Sequence, residues 1–484
     1  MNFGIVAKVL GNLLVLEAAG MVLPLLVSIY YNQHDKKAFI ICIALTGLVG
    51  FILTKIPYER NNIKIKEAMA IVSLGWVTIS VFGSLPFIFS GSINSFVDAF
   101  FETVSGFTTT GATIVDNVEV LPKGILFWRS FTHWIGGMGV LVFTVAILPA
   151  LGVGSFQIFK AETSGPVAER IVPRIKDTAK ILYIIYLAIT IAEIVLLSLG
   201  GMSLFESTVH TFGSVGTGGF STRNASIGAY DSSYIQMVIA VFMMLSGVNF
   251  SLYYALIKGK WRDVVKDQEL RFYLAIIGVS TILIALNLNT NLYKNIWESL
   301  KYAYFQVSSI ITTTGYATTD FDQWTTFSKG ILFLLMFIGG CAGSTAGGIK
   351  SIRVLVLLKM IKRQILKVFH PKAVIPVKVG QKTLSADVLN GISSFSMLYL
   401  VVFVLGTLAV SLEGVGLVSA SSAVAATLSN IGPGFEAVGP TRTFSSFSDA
   451  STLLFSFLML LGRLELFTII ALFTPGFWRD EIRI

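Results

Sequence analysis

The sequence predicts an all-α polytopic membrane protein: two N-terminal helices, then four helix/pore-loop/helix repeats around a central pore. Composition is the first reason. The chain of 484 residues is 54% hydrophobic and only 13% charged, with a mean hydropathy of +0.76, well outside the usual range of soluble domains. The second reason is length of apolar run. Ala38 to Thr54, Ile181 to Leu199, Tyr234 to Ile257 and Val388 to Val410 each approach or exceed the roughly 20 residues a helix needs to cross a bilayer. The third is repetition: an apolar helix, a shorter amphipathic segment, a Gly-containing turn and a returning apolar helix recur with a period of about 100 residues.

The N-terminal stretch Ile5 to Tyr31 is too long for a signal-peptide core. It also lacks a small-residue cleavage site before Tyr31-Asn32-Gln33-His34, so it reads as a retained helix. The predicted units are residues 1–66 for the two N-terminal helices, then 67–177, 178–268, 269–384 and 385–484 for the four repeats. The net charge of +9 does not indicate nucleic acid. Its basic residues collect in particular inter-helix loops: Lys55 to Lys66, Lys160 to Lys180, Lys258 to Arg271 and Lys350 to Lys382. The intervening loops hold few Lys or Arg, and by the positive-inside rule this asymmetry predicts both termini in the cytoplasm. Two cysteines, Cys42 and Cys341, and four scattered histidines show neither disulfide nor metal-ligand spacing.

In the first repeat Glu67 to Phe89 spans, Phe96 to Thr108 is the half-length segment, and Gly124 to Ala150 returns. The other half-helices are predicted near Leu204 to Val215, Ile296 to Thr312 and Gly416 to Ser429. Each is too short to span and is read as re-entrant. Non-helical backbone at membrane depth is tolerated only where protein buries it or where it lines a watery path, so four such segments imply a shared pore. The turns that follow read Thr109-Thr110-Gly111-Ala112, Gly216-Thr217-Gly218-Gly219, Thr313-Thr314-Gly315-Tyr316 and Asn430-Ile431-Gly432-Pro433. Gly111, Gly218, Gly315 and Gly432 are the expected common glycines. Glycine reaches positive φ without a Cβ clash, which lets successive carbonyls turn toward one axis. A carbonyl ring of this kind replaces the hydration shell of a bare cation, and the negative end of each half-helix dipole favours a cation there. Any one such turn is equally an ordinary loop between helices. Fourfold recurrence after a half-helix is what favours a filter.

These turns, with Ser105-Gly106-Phe107-Thr108-Thr109-Thr110-Gly111-Ala112-Thr113, Gly216-Thr217-Gly218-Gly219-Phe220-Ser221 and Asn430-Ile431-Gly432-Pro433-Gly434-Phe435, resemble the Trk/Ktr/HKT superfamily of potassium transporters over essentially the whole chain. Two additional N-terminal helices, up to about Thr54, match the Trk branch rather than the shorter Ktr branch. The resemblance implies potassium and rubidium as permeant ions, held by the backbone of the four turns, with no covalently bound cofactor. It also implies a homodimer with one pore per protomer, a cytosolic nucleotide-binding regulatory subunit and a place in the bacterial plasma membrane. In plant relatives a serine at the first filter glycine goes with sodium permeability, and Gly111 keeps the potassium-type residue.

The third returning helix is interrupted by Gly339-Gly340-Cys341-Ala342-Gly343-Ser344-Thr345-Ala346-Gly347-Gly348. Each glycine costs a helix about 1 kcal/mol relative to alanine, so a flexible loop below the filter is expected. The resemblance makes it an intramembrane loop that obstructs the pore and moves on opening. Small-residue helix packing is the competing account. Gly343 to Gly348 with Lys350-Ser351 comes near a phosphate-binding loop, but the spacing fails and the flanks are wrong. Arg463 lies inside an apolar run beginning at Ser451. An arginine at mid-depth costs on the order of 3 kcal/mol unless it finds a cavity or partner, so it is expected to face the pore and form a barrier to cations. Pairing with Glu465 or Glu193, or snorkelling, would satisfy it otherwise. Arg129 and His133, in Trp128-Arg129-Ser130-Phe131-Thr132-His133-Trp134, read as an interfacial belt.

Two other functions compete. A coupled secondary transporter also carries broken helices and repeats, but every hairpin here begins at a basic loop and so has one orientation. A membrane enzyme or pump needs a nucleophile, metal cluster or nucleotide loop of sound spacing, and none is found.

Overall fold

The computed structural model describes residues 1–57, 64–139 and 175–478. Among them six helices are long and apolar enough to cross a membrane, or eight if two sharply bent pairs each make one span. Two form the N-terminal hairpin, Phe3–Tyr30 and Lys36–Thr54. They cross where Gly11 meets Gly50. A Cβ on either would fall inside 3.0 Å of the other's carbonyl oxygen, so the missing side chains set the approach. In lipid, where apolar side chains gain little by burial against each other, such close backbone contact is what holds two helices together.

Four units follow. Their leading helices are Ile65–Phe89, Ile175–Leu199, Gln268–Asn291 and Ala386–Ser411, and their short pore helices are Phe96–Phe107, Leu204–Gly216, Ile296–Ile311 and Leu417–Leu428. The first three pore helices start on a side-chain cap: Ser95, Ser203 and Asn295 accept backbone N–H groups of the first turn. Asp98, Glu206 and Glu298 add negative charge there. Both features suit the positive end of a helix dipole. The pore helices are largely buried, and in the fourth Ala420 and Ala423 to Ala426 are enclosed.

The returning helices are shorter than the apolar runs suggest. They occupy Lys123–Gly137, Ser233–Ser246, Thr326–Leu335 and Asp449–Arg463. Tyr234 to Ile257 is therefore not one straight span. It bends by 93° at Gly247-Val248-Asn249, where the Asn249 side chain accepts the Ser251 N–H and starts a new helix. The fourth bends by 111° beyond Arg463, with Glu465 and Leu466 at positive φ. Only the third break was expected. Hydropathy misses the other two because both limbs of each bend are apolar. The part of Gly124 to Ala150 beyond residue 139, and the basic residues Lys160, Arg170 and Arg174, lie outside the described residues.

Returning and pore helices touch through glycine. A Cβ at Gly136 would fall inside 3.0 Å of the Phe107 carbonyl oxygen, and one at Gly462 equally close to that of Leu428. Phe107 and Leu428 end the first and fourth pore helices. These contacts seat the returning helices beneath the turns that follow the pore helices.

The N-terminal crossing is testable. Gly50→Leu overpacks it, and overpacking costs about 1–3 kcal/mol. The variant is expected to lower the thermal midpoint in detergent, followed by tryptophan fluorescence, and an unchanged midpoint would mean that the two helices do not depend on this contact.

Candidate functional site: four turns closing one ring

Every pore helix ends in the same way. Thr109, Thr217, Thr313 and Asn430 take left-handed φ values of 55°, 57°, 57° and 57°. Their N–H groups donate to Gly106, Ser214, Ile310 and Thr427 at 3.1, 3.2, 3.0 and 3.2 Å. The next residue's N–H reaches one step further back, from Thr110 to Ser105, Gly218 to Gly213, Thr314 to Ser309 and Ile431 to Ala426, at 2.9, 2.7, 2.9 and 2.8 Å. This is a Schellman ending. Glycine or asparagine ordinarily occupies its left-handed position, and the three threonines there hold a β-branched residue in a sparsely populated region.

Two residues on, φ is positive again, at Gly111, Gly219, Gly315 and Gly432, with values of 79°, 82°, 85° and 99°. This corrects the second turn. The glycine equivalent to Gly111 is Gly219, not Gly218, and the quartet equivalent to Thr109–Ala112 is Thr217-Gly218-Gly219-Phe220. Gly216 is the last residue of the pore helix. Three glycines in Gly216-Thr217-Gly218-Gly219 hid the register, whereas counting from the helix end reveals it.

The four turns meet in order. A Cβ on Gly111 would fall inside 3.0 Å of the Gly218 carbonyl oxygen, one on Gly219 of Thr314, one on Gly315 of Ile431, and one on Gly432 of Thr110. Each repeat thus abuts the next and the fourth abuts the first. No L side chain fits at these glycines. On one side of the ring lies a cavity of about 120 Å³, lined by Gly111, Gly219, Gly315 and Gly432 together with Asp116 and Arg129. Asp116 is exposed, and hydrogen bonds from Ser445 and Thr443 hold its carboxyl below the usual carboxylate range. Its negative charge therefore persists as pH falls toward that range, and is lost only below it.

Side chains behind the ring fix its shape. Arg129 is buried and pairs with Glu102 at 2.6 Å, while Glu102 also accepts the Ile114 N–H at 3.0 Å and the Thr113 hydroxyl at 3.1 Å. The Arg129 guanidinium lies 3.9 Å over the Phe220 ring. His133 Nδ1 lies 2.7 Å from the Gly106 carbonyl, and its Nε2 accepts the Phe220 N–H at 3.2 Å. Tyr316 donates its hydroxyl to the carbonyls of His210 and Phe220, at 3.0 and 3.1 Å. Asn430 Nδ2 donates to Thr110 Oγ1 at 3.0 Å and to the Met459 carbonyl at 2.9 Å. The interfacial-belt reading of Arg129 and His133 is thereby overturned. The rule that a membrane-depth arginine needs a partner pointed at Arg129 as directly as at Arg463, with Glu102 the partner one pore helix away.

The Gly-rich segment lies against the other face of the ring. Ile338–Gly339 and Ile349–Lys350 pair in parallel and close its base. Gly340 is packed on the backbone of Gly247, and Cys341 donates its N–H to the Gly247 carbonyl at 2.8 Å. Gly343 and Gly348 take positive φ, and the Gly343 carbonyl accepts the Phe250 N–H at 3.0 Å. Ser344 donates its hydroxyl to the Cys341 carbonyl at 2.6 Å. Buried Thr345 donates within hydrogen-bond distance of the Val215 and Ser246 carbonyls, each at 3.2 Å. The Gly347 N–H donates to Thr313 Oγ1 at 2.6 Å, so the segment touches the third turn itself.

Arg463 joins these layers. Its Nη1 donates to the Thr345 carbonyl at 2.9 Å and to Thr109 Oγ1 at 3.3 Å. Its Nη2 donates to the carbonyls of Gly136 and Gly137, at 2.5 and 3.2 Å. Glu465 pairs with Arg353, and Glu193 accepts the Ser214 hydroxyl at 2.5 Å. Beyond the segment opens a larger cavity of about 590 Å³, lined by Gly343, Ser344, Gly347, Gly348 and Arg463. Lys350 is buried beside it and donates to the Ala346 carbonyl. The glycines of the ring line the smaller cavity, and the Gly-rich segment and Arg463 line the larger one.

The family model described as TrkH, cation transport protein, matches residues 32–479. The chain belongs to the TrkH family. It is 40% identical over 488 residues to a Trk system potassium uptake protein TrkH of Salmonella typhimurium, covering 99% of this chain and all of that one. It is 39% identical, with the same coverage, to the protein so named in Escherichia coli K12. The crystal structure of the potassium transporter TrkH from Vibrio parahaemolyticus superposes with a TM-score of 0.88 at 38% identity, over 99% of this chain and 100% of that one. The TrkH family comprises transporters rather than enzymes, and this chain is a multi-pass membrane protein with that architecture.

Two substitutions probe the ring. Gly219→Ala places a methyl against the Thr314 carbonyl at a left-handed position, and rubidium uptake into proteoliposomes is expected to fall by about fivefold or more, as strain of about 1–3 kcal/mol at the site implies. Uptake at the parental rate would refute the register. Glu102→Ala leaves Arg129 buried and unpaired, a loss of about 3–5 kcal/mol, to be read as a drop in thermal midpoint.

Proposed function

We propose that this protein carries potassium across the bacterial plasma membrane through a channel-like pore. The single observation that supports it most is the closed ring of four turns, in which each filter glycine abuts the carbonyl of the next repeat. Carbonyl oxygens are hard, neutral ligands suited to a dehydrated alkali cation. Four pore-helix C-termini converge on the same ring and add negative potential. The relatives named as potassium uptake proteins support potassium as the ion, for which rubidium serves as the tracer.

In this reading the 120 Å³ cavity is the outer vestibule, the 590 Å³ cavity opens to the cytoplasm, and both termini are cytoplasmic. The Gly339–Gly348 segment and Arg463 form the closed barrier. A fixed guanidinium under the filter repels cations, and the Gly-rich segment occupies the path. The assembly is a homodimer with a cytosolic nucleotide-binding regulatory subunit, docking on the basic segments. The fixed ring favours passive flow; a sodium- or proton-coupled symporter is the alternative that the experiment distinguishes.

The test is rubidium uptake into proteoliposomes under an imposed potential, competed by potassium and sodium, with and without the regulator. Saturable uptake that potassium inhibits more strongly than sodium, without a sodium or proton gradient, is expected. Equal competition by sodium would sink potassium selectivity, and an absolute need for a second gradient would favour the symporter. Arg463→Ala is expected to raise rubidium flux about tenfold or more, the factor that corresponds to ~1.4 kcal/mol of barrier. Parental flux in a monodisperse variant would remove Arg463 from the gate.

A further inference from the structure

The Gly-rich segment is gripped at two points by one side chain that neither lines the filter nor touches Arg463. Glu269 stands in the first turn of helix Gln268–Asn291 and is buried. Its Oε1 accepts the N–H of Ala342 at 2.7 Å, within the segment, and that of Ile352 at 3.1 Å, just beyond it. Ile352 belongs to the first turn of helix Ser351–Phe369, whose N-cap residue Lys350 supplies no side-chain cap. The first N–H groups of a helix need outside acceptors. An anionic oxygen at that end meets both the orphan donor and the helix dipole.

The position of Glu269 along the chain matters as much as its contacts. Helix Gln268–Asn291 begins directly after a segment carrying Lys258, Lys260, Arg262 and Lys266. Asp267 caps it by accepting the Leu270 N–H at 2.8 Å. Gln268 Oε1 accepts from Lys359 Nζ at 2.6 Å, on the helix that follows the Gly-rich segment. One helix start therefore holds the segment by its near limb, through Ala342, and by the helix that leaves it, through Ile352 and Lys359.

We propose that Glu269 is a positioning residue for the gate: its carboxylate clasps both limbs of the Gly-rich segment and holds it across the pore. Displacing the basic stretch before Gln268 would then release both limbs together. The proposal rests on the reading of the segment as the gate, and two separate readouts keep them apart.

Cys341, buried in the segment, is a native reporter. In a Cys42→Ala background it is the sole cysteine of the chain. Full-length Glu269→Ala is reconstituted, and both the labelling of Cys341 by a small maleimide and rubidium uptake are measured. Both rates are expected to rise about tenfold, a change of ~1.4 kcal/mol in the opening equilibrium. The rubidium concentration for half-maximal uptake and the preference for rubidium over sodium should stay unchanged, as a merely destabilised filter would not allow. Parental labelling in monodisperse Glu269→Ala overturns the clasp, whatever the uptake. Faster labelling with parental uptake supports the clasp and overturns the gate reading instead. Should the alanine variant not remain monodisperse, Glu269→Gln carries the test. It keeps an acceptor but loses the charge that roughly doubles such a bond's strength, so labelling should rise about threefold, and parental labelling there also overturns the proposal.

Discussion

A backbone that turns its carbonyls toward a pore withdraws them from its own helix, at a depth where lipid offers no replacement partner. The four pore helices meet this constraint with one device. Each ends in a left-handed residue whose N–H, with that of its successor, folds back onto the last helical turn. The donors are thus consumed within the turn, and the following carbonyls are free to face the axis. A glycine two residues later completes the reversal and lets the neighbouring repeat approach to backbone contact. Ring closure and the packing of the returning helices on Phe107 and Leu428 both depend on that ending.

Charge is managed under the same constraint, and differently on the two faces of the ring. Beside the filter, Arg129 is neutralised by Glu102 and stacked on Phe220, so its cation acts as a strut. Beneath it, Arg463 is held by the carbonyls of Thr345, Gly136 and Gly137. Carbonyl oxygens of three residues converge on its guanidinium. One arginine braces the turns from behind; the other ties the Gly-rich segment to the returning helix of the first repeat. Glu269 sits apart from both and addresses the backbone at and just beyond the Gly-rich segment.

Much of this was legible in residues. The half-helices, the Gly-rich interruption and an arginine that could not face lipid follow from hydropathy, glycine propensity and desolvation cost, which act locally. The pore-helix ends fell within two residues of their expected places. The register of the second turn did not, because Gly218 and Gly219 are adjacent, both N–H groups donate to the Gly213 carbonyl, and only the positive φ at Gly219 tells them apart. The bends at Gly247 and beyond Arg463 were hidden by apolar sequence on both sides.

By itself the sequence determined the membrane class, the number of repeats and the residues able to take a filter conformation, since composition and period are properties of the chain. Tertiary structure alone decided which glycine of each turn meets its neighbour, because that is a contact between repeats about 100 residues apart. It also decided that Arg129 pairs with Glu102 while Arg463 reaches the carbonyls of Gly136 and Gly137. Both are arginines in apolar helices, and only the packed structure shows which groups wait at the end of each side chain.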